Sequence, residues 1–167
     1  MSRELLLLRH GKSNWNIEVD DFDRPLKKRG VRAASQVGKR LYKQNLVPDL
    51  VISSPAERAI STAEIASEAM GIDGQVIQHE NRLYEADVED LLSVLIELPE
   101  NISRVLLVGH NPGLEELLIF LSAKKITIPE DGKFLPTASL ARLIVFCEWA
   151  EIAKGCAKLI ELKRPER

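Results

Sequence analysis

The chain has 167 residues, of which 45% are hydrophobic, and it carries a formal net charge of −2. This length and hydrophobic fraction predict one globular domain over residues 1–167. Because the charge is nearly balanced, we expect neither a nucleic acid nor a membrane surface as a partner, since both usually require a clustered basic face.

The first predicted element is a strand over Leu5 to Leu8, where four consecutive leucines show no polar alternation. Such a run is typical of a parallel strand that is covered on both faces, and it is too short for a secretory signal or a membrane span. Arg9 and His10 follow at its carboxyl end, which is where open α/β sheets bind ligands. Gly11 permits a close approach of the backbone to a ligand, so we expect an anion site to begin here.

A polar, acidic loop over residues 14–26 is expected to run along the mouth of that site. A helix over 30–44 follows, because its apolar residues recur at helical spacing. The densest basic cluster of the chain stands at the start of this helix, and we expect it to be a solvated helix start. It comprises Lys27, Lys28, Arg29 and Arg32.

A second short apolar run over 49–52 leads into a helix predicted over 55–70, with Ser54 as its N-cap and Gly71 as its stop. Arg58 lies in the first turn of this helix. The helix dipole favours an anion rather than a cation at that position, so a purely structural role for Arg58 is disfavoured.

The remaining elements complete an alternating pattern. A strand over 75–78 precedes a helix over 88–98, and a strand over 105–108 ends at His110, just before a helix over 112–121. Two closing strands are predicted over 140–146 and 157–162. This order predicts an α/β fold, a three-layer α/β/α sandwich on a mainly parallel central sheet.

The connection between the two closing strands contains Cys147 and Cys156. Two cysteines are too few for a disulfide scaffold, so we expect buried thiols in a reduced compartment. The sequence therefore predicts a cytoplasmic protein.

The polar residues that follow three of the strands favour phosphoryl transfer. Guanidinium groups bind phosphoryl oxygens in pairs, and a neutral histidine, with an ordinary pKa of about 6.5, can attack phosphorus. A zinc site is disfavoured because no cysteine or His-x-x-x-His partner is present, and a serine hydrolase because no Gly-x-Ser-x-Gly elbow occurs. We therefore expect no metal and no cofactor. The candidate residues are Arg9, His10, Arg58 and His110.

Four motifs, in this order, resemble those of the histidine phosphatase superfamily, and most closely those of SixA-type phosphohistidine phosphatases. They are Arg9-His10-Gly11-Lys12-Ser13, Asp23-Arg24-Pro25-Leu26 with Gly30, Ser53-Ser54-Pro55 with Arg58-Ala59 and Thr62-Ala63-Glu64, and Gly109-His110-Asn111-Pro112-Gly113-Leu114. The resemblance covers nearly the whole chain. It implies a phosphoglycerate mutase-like fold and a single histidine phosphatase domain.

The resemblance also implies roles for individual residues. His10 would be the phosphorylated nucleophile, and the phosphoryl group would be bound and polarised by Arg9, Arg58 and His110. Ser13 and Asn16 fall where larger relatives make auxiliary phosphate contacts.

Glu85 admits two interpretations. It lies near the position where phosphatases and mutases of the superfamily keep an acid that protonates the leaving group. SixA-type members do not clearly depend on such an acid, and Glu85 could equally cap the helix that begins after it.

Three functional hypotheses follow. The first is a phosphatase for phosphohistidine in a protein, such as a component of a signalling phosphorelay, because the connections over 80–87 and 123–136 leave little chain for a lid. The second is a phosphomonoesterase or phosphoglycerate mutase-like enzyme for a small metabolite, which would need a deeper pocket. The third is a phosphate-binding module without turnover, for which the presence of both histidines with both arginines has no explanation.

Overall fold

The computed structural model describes residues 2–127 and 129–165. Within them the chain forms one six-stranded sheet and four α-helices. The strands are β1 (Arg3–Arg9), β2 (Leu50–Ser53), β3 (Gln78–His79), β4 (Arg104–Gly109), β5 (Leu140–Val145) and β6 (Ala157–Lys163). The helices are α1 (Lys28–Lys43), α2 (Glu57–Met70), α3 (Val88–Leu95) and α4 (Gly113–Leu121).

The sheet is mainly parallel, as predicted. Its strand order is β3-β2-β4-β1-β5-β6, in which β1, β2, β3 and β4 pair in parallel and β5 pairs antiparallel with both β1 and β6. The neighbours β2, β4 and β1 therefore end at one edge of the sheet. The residues that follow these three strands are brought together by the topology alone.

Helices cover both faces of the sheet, and β1 shows this most directly. Leu5 and Leu7 belong to the apolar core beneath α3 and α4, whereas Leu6 and Leu8 belong to the core beneath α1 and α2. All four leucines are fully buried. The uninterrupted apolar run is thus explained by its place in the middle layer, and the predicted three-layer sandwich is confirmed.

Two local predictions are wrong. The strand predicted over 75–78 is a 3₁₀ turn at Gly74–Val76, stabilised by the Asp73 carboxylate accepting from the Gln75 N–H at 2.9 Å, and only Gln78–His79 pair as β3. Ser54 is not the N-cap of α2, which begins at Glu57 with Ala56 in that position. The Ser54 hydroxyl instead accepts from the Ala56 N–H at 3.2 Å and contacts a histidine of the site.

The β5–β6 connection packs on the core through Trp149, whose indole N–H donates to the Ile102 carbonyl at 2.7 Å. Cys147 and Cys156 are free thiols there and are half-buried, so they are more exposed than the predicted buried thiols. In the described part of the chain, helices are too short or too polar to span a membrane.

Candidate active site

Three strand ends supply the candidate site. His10 follows β1, Arg58 lies in the first turn of α2 after β2, and His110 follows β4. The two imidazole rings lie 5.1 Å apart between centroids, tilted by 53°. The charges of Arg9 and Arg58 reach both rings and lower the pKa of each histidine, which places all four candidate side chains in one group.

The loop after His10 is held against the start of α1 by two glycines. A Cβ on Gly11 would lie 2.8 Å from the Gly30 carbonyl oxygen, and a Cβ on Gly30 would lie 2.3 Å from the Lys12 carbonyl oxygen. Real side chains do not tolerate such distances from backbone atoms. Glycine is therefore required at both positions by close backbone approach.

Thr62 joins the His10 loop to helix α2. Its hydroxyl accepts from the Gly11 N–H at 3.0 Å and donates to the Arg58 carbonyl at 2.7 Å. Thr62 is fully buried, so these bonds are protected from water. One side chain thus fixes the backbone beside the candidate nucleophile relative to the backbone of the candidate phosphate-binding arginine.

His10 is buried and neutral, and one of its tautomers is favoured. Burial, as the largest cause, and the charges of the neighbouring cationic groups together lower its pKa to about 3. Its Nδ1 lies 2.7 Å from the Gly11 carbonyl oxygen, which can only accept, so Nδ1 carries the proton. The unprotonated atom is then Nε2, whose lone pair is free for nucleophilic attack.

His110 is also held neutral, because burial and the charge of Arg58 lower its pKa to about 4. Its Nε2 lies 2.7 Å from the Ser54 hydroxyl oxygen. Among the described residues, its buried Nδ1 has no hydrogen-bond partner. The Tyr84 ring packs edge-on against the imidazole, with centroids 5.6 Å apart.

Arg9 is held in place by the loop before β5. Its Nη1 donates to the Leu135 carbonyl at 3.3 Å, and the Asn111 amide donates to the same oxygen at 2.8 Å. Glu115 accepts from both the Asn111 amide and the Leu135 N–H, so this loop is tied to α4. Burial lowers the pKa of Arg9, and the Glu115 charge offsets part of that effect.

Asp21 is the main site residue that the sequence did not single out. The Arg58 guanidinium donates to the Asp21 carbonyl at 2.7 Å and to its carboxylate at 3.0 Å, and the Tyr84 hydroxyl donates to the same carboxylate at 2.6 Å. Arg24 also pairs with this carboxylate. These contacts, with the Tyr84 hydrogen bond as the largest cause, lower the pKa of Asp21 to about 2 and raise that of Tyr84 to about 12.

The acidic loop therefore lies at the mouth of the site, as predicted. Phe22 packs edge-on against Tyr84, with ring centroids 5.2 Å apart. This contact holds the acidic loop against the segment that contains Tyr84. The backbone carbonyl and the carboxylate of Asp21 together occupy the two donors that the Arg58 guanidinium could offer to a phosphoryl group. The sequence does show several aspartates in the acidic loop next to the predicted cationic site. No spacing rule identifies which of them contacts Arg58.

Two auxiliary candidates are placed differently from the core of the site. Ser13 is buried and its backbone bridges to Leu26, whereas Asn16 is exposed and its N–H donates to the Asn14 side chain at 2.9 Å. Across residues 2–127 and 129–165, neither side chain hydrogen-bonds to His10, Arg9, Arg58 or His110. Their phosphate-binding role stays a prediction.

Glu85 does not cap α3. Asp87 is the N-cap, and it forms a capping box in which its carboxylate accepts from the Asp90 N–H at 2.9 Å and the Asp90 carboxylate accepts in return at 3.1 Å. Glu85 is exposed and adopts a positive φ of 55°, next to Tyr84. The capping interpretation is wrong, and the general-acid interpretation stays a prediction.

The arrangement is suited to an anionic substrate that reacts at a neutral imidazole. A buried and a half-buried arginine converge with two neutral histidines, and cationic donors stabilise developing negative charge most effectively where water is largely excluded. In the described part of the chain, no group of three or more histidine, cysteine, aspartate or glutamate side chains is placed to hold a metal ion.

Comparison with known proteins places these residues in a family. The model of the histidine phosphatase superfamily (branch 1) matches residues 5–118. An uncharacterized protein of Mycobacterium tuberculosis is 33% identical over 163 residues, which cover 95% of this chain and 99% of that protein. The chain belongs to the histidine phosphatase superfamily.

Two solved structures show which members of the superfamily this chain resembles. The proposed phosphohistidine phosphatase SixA from Nakamurella multipartitia is 28% identical with a TM-score of 0.81, covering 99% of this chain and 97% of that one. Its counterpart from Agrobacterium tumefaciens is 29% identical with a TM-score of 0.77, covering 98% of this chain and 99% of that one. The predicted resemblance to SixA-type proteins and the phosphoglycerate mutase-like fold are confirmed. The chain is a phosphatase, which argues against a binding module without turnover.

Proposed function

We propose that this phosphatase removes phosphate from a phosphorylated histidine of a protein, through a phosphohistidine intermediate on His10. The observation that carries the proposal is the state of His10, which is buried and neutral and donates from Nδ1 to Gly11 at 2.7 Å. Its ring lies 5.1 Å from that of His110 and within reach of the charges of Arg9 and Arg58, and these three residues would bind the phosphoryl oxygens. No cofactor is required for this chemistry.

The reaction proceeds in two displacements. The His10 Nε2 attacks phosphorus, the P–N bond to the substrate imidazole breaks, and its electron pair returns to the substrate nitrogen. Water then attacks the phosphorus of the modified His10, the P–Nε2 bond breaks and its electron pair returns to Nε2, and the product leaves as dihydrogen phosphate, which keeps both protons of the water. Arg58 and Arg9 stabilise the charge on the equatorial oxygens in both steps.

The leaving group favours phosphohistidine as the substrate. A phosphomonoester expels an alkoxide and gains greatly from a positioned acid, whereas a phosphohistidine whose other nitrogen is protonated expels neutral imidazole. Glu85, the candidate acid, is exposed rather than held inside the site. The segment over 80–87 is short and carries only a 3₁₀ turn, so a protein side chain can approach. The two similar SixA structures are those of proposed phosphohistidine phosphatases.

The test compares substrates and traps the intermediate. Rapidly quenched enzyme should carry an acid-labile, alkali-stable phosphate on the peptide that contains His10, and His10→Gln should abolish both the adduct and turnover. A phosphohistidine peptide should be hydrolysed faster than a panel of phosphorylated metabolites at equal concentration. Retained turnover in His10→Gln would contradict the mechanism.

The same panel tests the small-molecule alternative. If Glu85 is a general acid, Glu85→Gln should slow alkyl phosphomonoester hydrolysis by roughly 10²–10⁴-fold and spare phosphohistidine hydrolysis. Efficient wild-type turnover of one metabolite, lost in Glu85→Gln, would move the protein to that class. The cytoplasmic location, the part in signal transduction and the single domain over residues 1–167 stay predictions.

A further inference from the structure

A wide basic cleft of about 750 Å³ lies beside the candidate active site. We define the basic cleft by its charged lining residues, and among the described residues these are five cationic side chains and one carboxylate. They are Lys12, Arg29, Arg32, Lys133, Arg164 and Asp131. This concentration of positive charge stands out in a chain whose formal net charge is −2.

The single carboxylate of the cleft neutralises only one of the cations. Arg164 donates to both oxygens of Asp131, at 2.8 and 3.1 Å, and also to the Lys133 carbonyl at 2.6 Å. These bonds fix the loop that presents Lys133. Within residues 2–127 and 129–165, the side chains of Lys12, Arg29, Arg32 and Lys133 form no ion pair.

The cleft begins next to the nucleophile. Lys12 lies two residues after His10, which is at most about 7 Å along the chain. On the other wall, the Ala138 N–H donates to the carbonyls of Arg9 and His10 at 3.1 and 2.9 Å. The segments that line the cleft at Lys12 and Ala138 therefore adjoin the backbone of the candidate site. A molecule bound at His10 can extend over the cations of the cleft.

The form of the cleft favours a macromolecular anion over a second phosphate. Its unpaired cations come from three separate segments, namely the loop after β1, the first turns of α1 and the loop before β5, and all are exposed. A single phosphate needs convergent buried donors, whereas dispersed exposed cations match several carboxylates spread over a protein surface. Arg29 and Arg32 are exposed at the start of α1, as expected for a solvated helix start, and they also line the cleft.

We propose that the basic cleft docks an acidic segment of the substrate protein, next to its phosphohistidine. This inference rests on the proposed function, because it assigns the surface that would recognise the phosphoprotein. The unpaired cations attract and orient the acidic segment, while the phosphoryl group enters the site at His10. Complementary charge of this kind raises the association rate and selects among partners.

The test uses two short synthetic peptides with one central phosphohistidine, flanked by glutamates in one and by glutamines in the other. Free phosphohistidine serves as a substrate too small to reach the cleft. The wild-type enzyme should prefer the glutamate peptide by about 10-fold in kcat/KM at low salt, and about 0.5 M salt should remove the preference. Arg32→Glu/Lys133→Glu should remove it at low salt and leave free phosphohistidine turnover unchanged.

The matched control is Lys154→Glu/Lys158→Glu, which makes the same change in net charge. Both lysines are exposed. Lys154 lies in the turn just before β6 and Lys158 is near the start of this seven-residue strand, whose other end leads to Arg164. At about 3.3 Å per residue, the control is on the order of 20 Å from the cleft. This variant should keep the preference for the glutamate peptide.

A binding measurement separates this proposal from the proposed function. Fluorescence anisotropy with the unphosphorylated, labelled glutamate peptide should show about 10-fold weaker binding to Arg32→Glu/Lys133→Glu than to the wild type and the control. Equal binding to all three proteins would overturn the docking proposal even if phosphohistidine is hydrolysed. Selective binding without hydrolysis of any phosphohistidine substrate would overturn the proposed function and leave the docking surface supported.

Discussion

His10 combines two properties that a nucleophile for a phosphoryl group needs. Cations nearby attract the substrate, and the imidazole itself stays unprotonated. Burial is the largest cause that lowers the pKa of His10, and together with the charges of the neighbouring cations it brings that pKa to about 3, so the cations that attract the substrate also help to keep the imidazole neutral. The carbonyl of Gly11 completes the arrangement by holding the proton on Nδ1.

Arg58 should contribute chiefly to the transition state. Removal of a preorganised electrostatic donor typically costs about 10²–10³-fold in kcat, so we expect Arg58→Ala to lower kcat by about 10²-fold or more. Arg58→Lys should recover only part of the loss, because an ammonium group cannot make the paired contact of the guanidinium. Steady-state kinetics on a phosphohistidine peptide measure both variants. Unchanged kcat and kcat/KM in Arg58→Ala would place the residue outside the reaction.

Asp21 should compete with phosphate for Arg58. Its carboxylate lies 3.0 Å from the guanidinium, with a pKa lowered to about 2, so it is ionised at neutral pH. We expect Asp21→Asn to bind inorganic phosphate about 10-fold more tightly, since a tenfold change corresponds to about 1.4 kcal/mol, a reasonable value for removing one nearby like charge. Isothermal titration calorimetry measures the difference.

The matched control for this prediction is Asp20→Asn, which removes the same charge from the preceding residue. The side chain of Asp20 is exposed and makes no capping hydrogen bond to the 3₁₀ turn that follows it. Phosphate affinity should stay near that of the wild type. Equal effects of the two substitutions would show that only overall charge matters, and not the contact with Arg58.

At the scale of elements, the site depends on how the β1 loop is attached to α2. Thr62→Val removes the hydroxyl and leaves the buried Gly11 N–H without its acceptor, which should lower the free energy of unfolding by about 1–3 kcal/mol. Turnover should fall as well, because the backbone at Gly11 also holds His10. Thr62→Ser keeps the hydroxyl and should restore most of both. Urea denaturation and steady-state kinetics test the pair, and a Thr62→Val enzyme as stable and active as the wild type would contradict this role.

The elements that could be predicted from sequence are those with a strong local pattern. The buried runs of β1, β2 and β4 end directly before Arg9, Ser54 and His110, so the parallel sheet and the shared edge followed from the sequence. The third strand could not be predicted correctly, because only two residues pair and the Asp73 turn precedes them.

Contacts between distant segments were beyond the reach of sequence patterns. Asp21 and Arg58 are 37 residues apart, and Tyr84 lies 63 residues from Asp21. No periodicity or turn rule links such positions, and one aspartate among several was selected only by the packing of the loop. Likewise, Glu85 and Asp87 are only two residues apart, and spacing alone did not show which of them caps α3. The structure shows that Asp87 does, in a capping box with Asp90.

At the scale of the whole molecule, net charge concealed how the charges are arranged. A formal value of −2 indicated no basic face, yet the fold brings Lys133 into one cleft with Lys12 and Arg32, which lie more than 100 residues earlier in the chain. A balanced total is compatible with a polarised surface whenever acidic residues gather elsewhere. Composition therefore gave no reason to expect a strongly charged partner, and it could not predict a local docking surface.

The two neutral histidines should also make the stability of the whole protein depend on pH. Both folded pKa values, about 3 for His10 and about 4 for His110, lie below the ordinary value of 6.5. Between those limits the unfolded chain binds protons that the folded chain does not, so the free energy of unfolding falls as pH decreases below about 6.5. The fall is at most about 1.4 kcal/mol per pH unit for each histidine.

The loss of stability just below about pH 6.5 comes from the histidines rather than from the acidic loop. Asp21, whose pKa is lowered from 3.8 to about 2, contributes stability that is lost only below about pH 4. Urea denaturation at about pH 7 and pH 5, in buffers without phosphate because phosphate would stabilise the folded state, should show a clear loss for the wild type. The slope should be much smaller in His10→Gln/His110→Gln, because this variant has no buried imidazole to protonate in the site. A wild-type protein equally stable at both pH values, or a variant with the wild-type slope, would mean that these histidines are not held neutral by the fold.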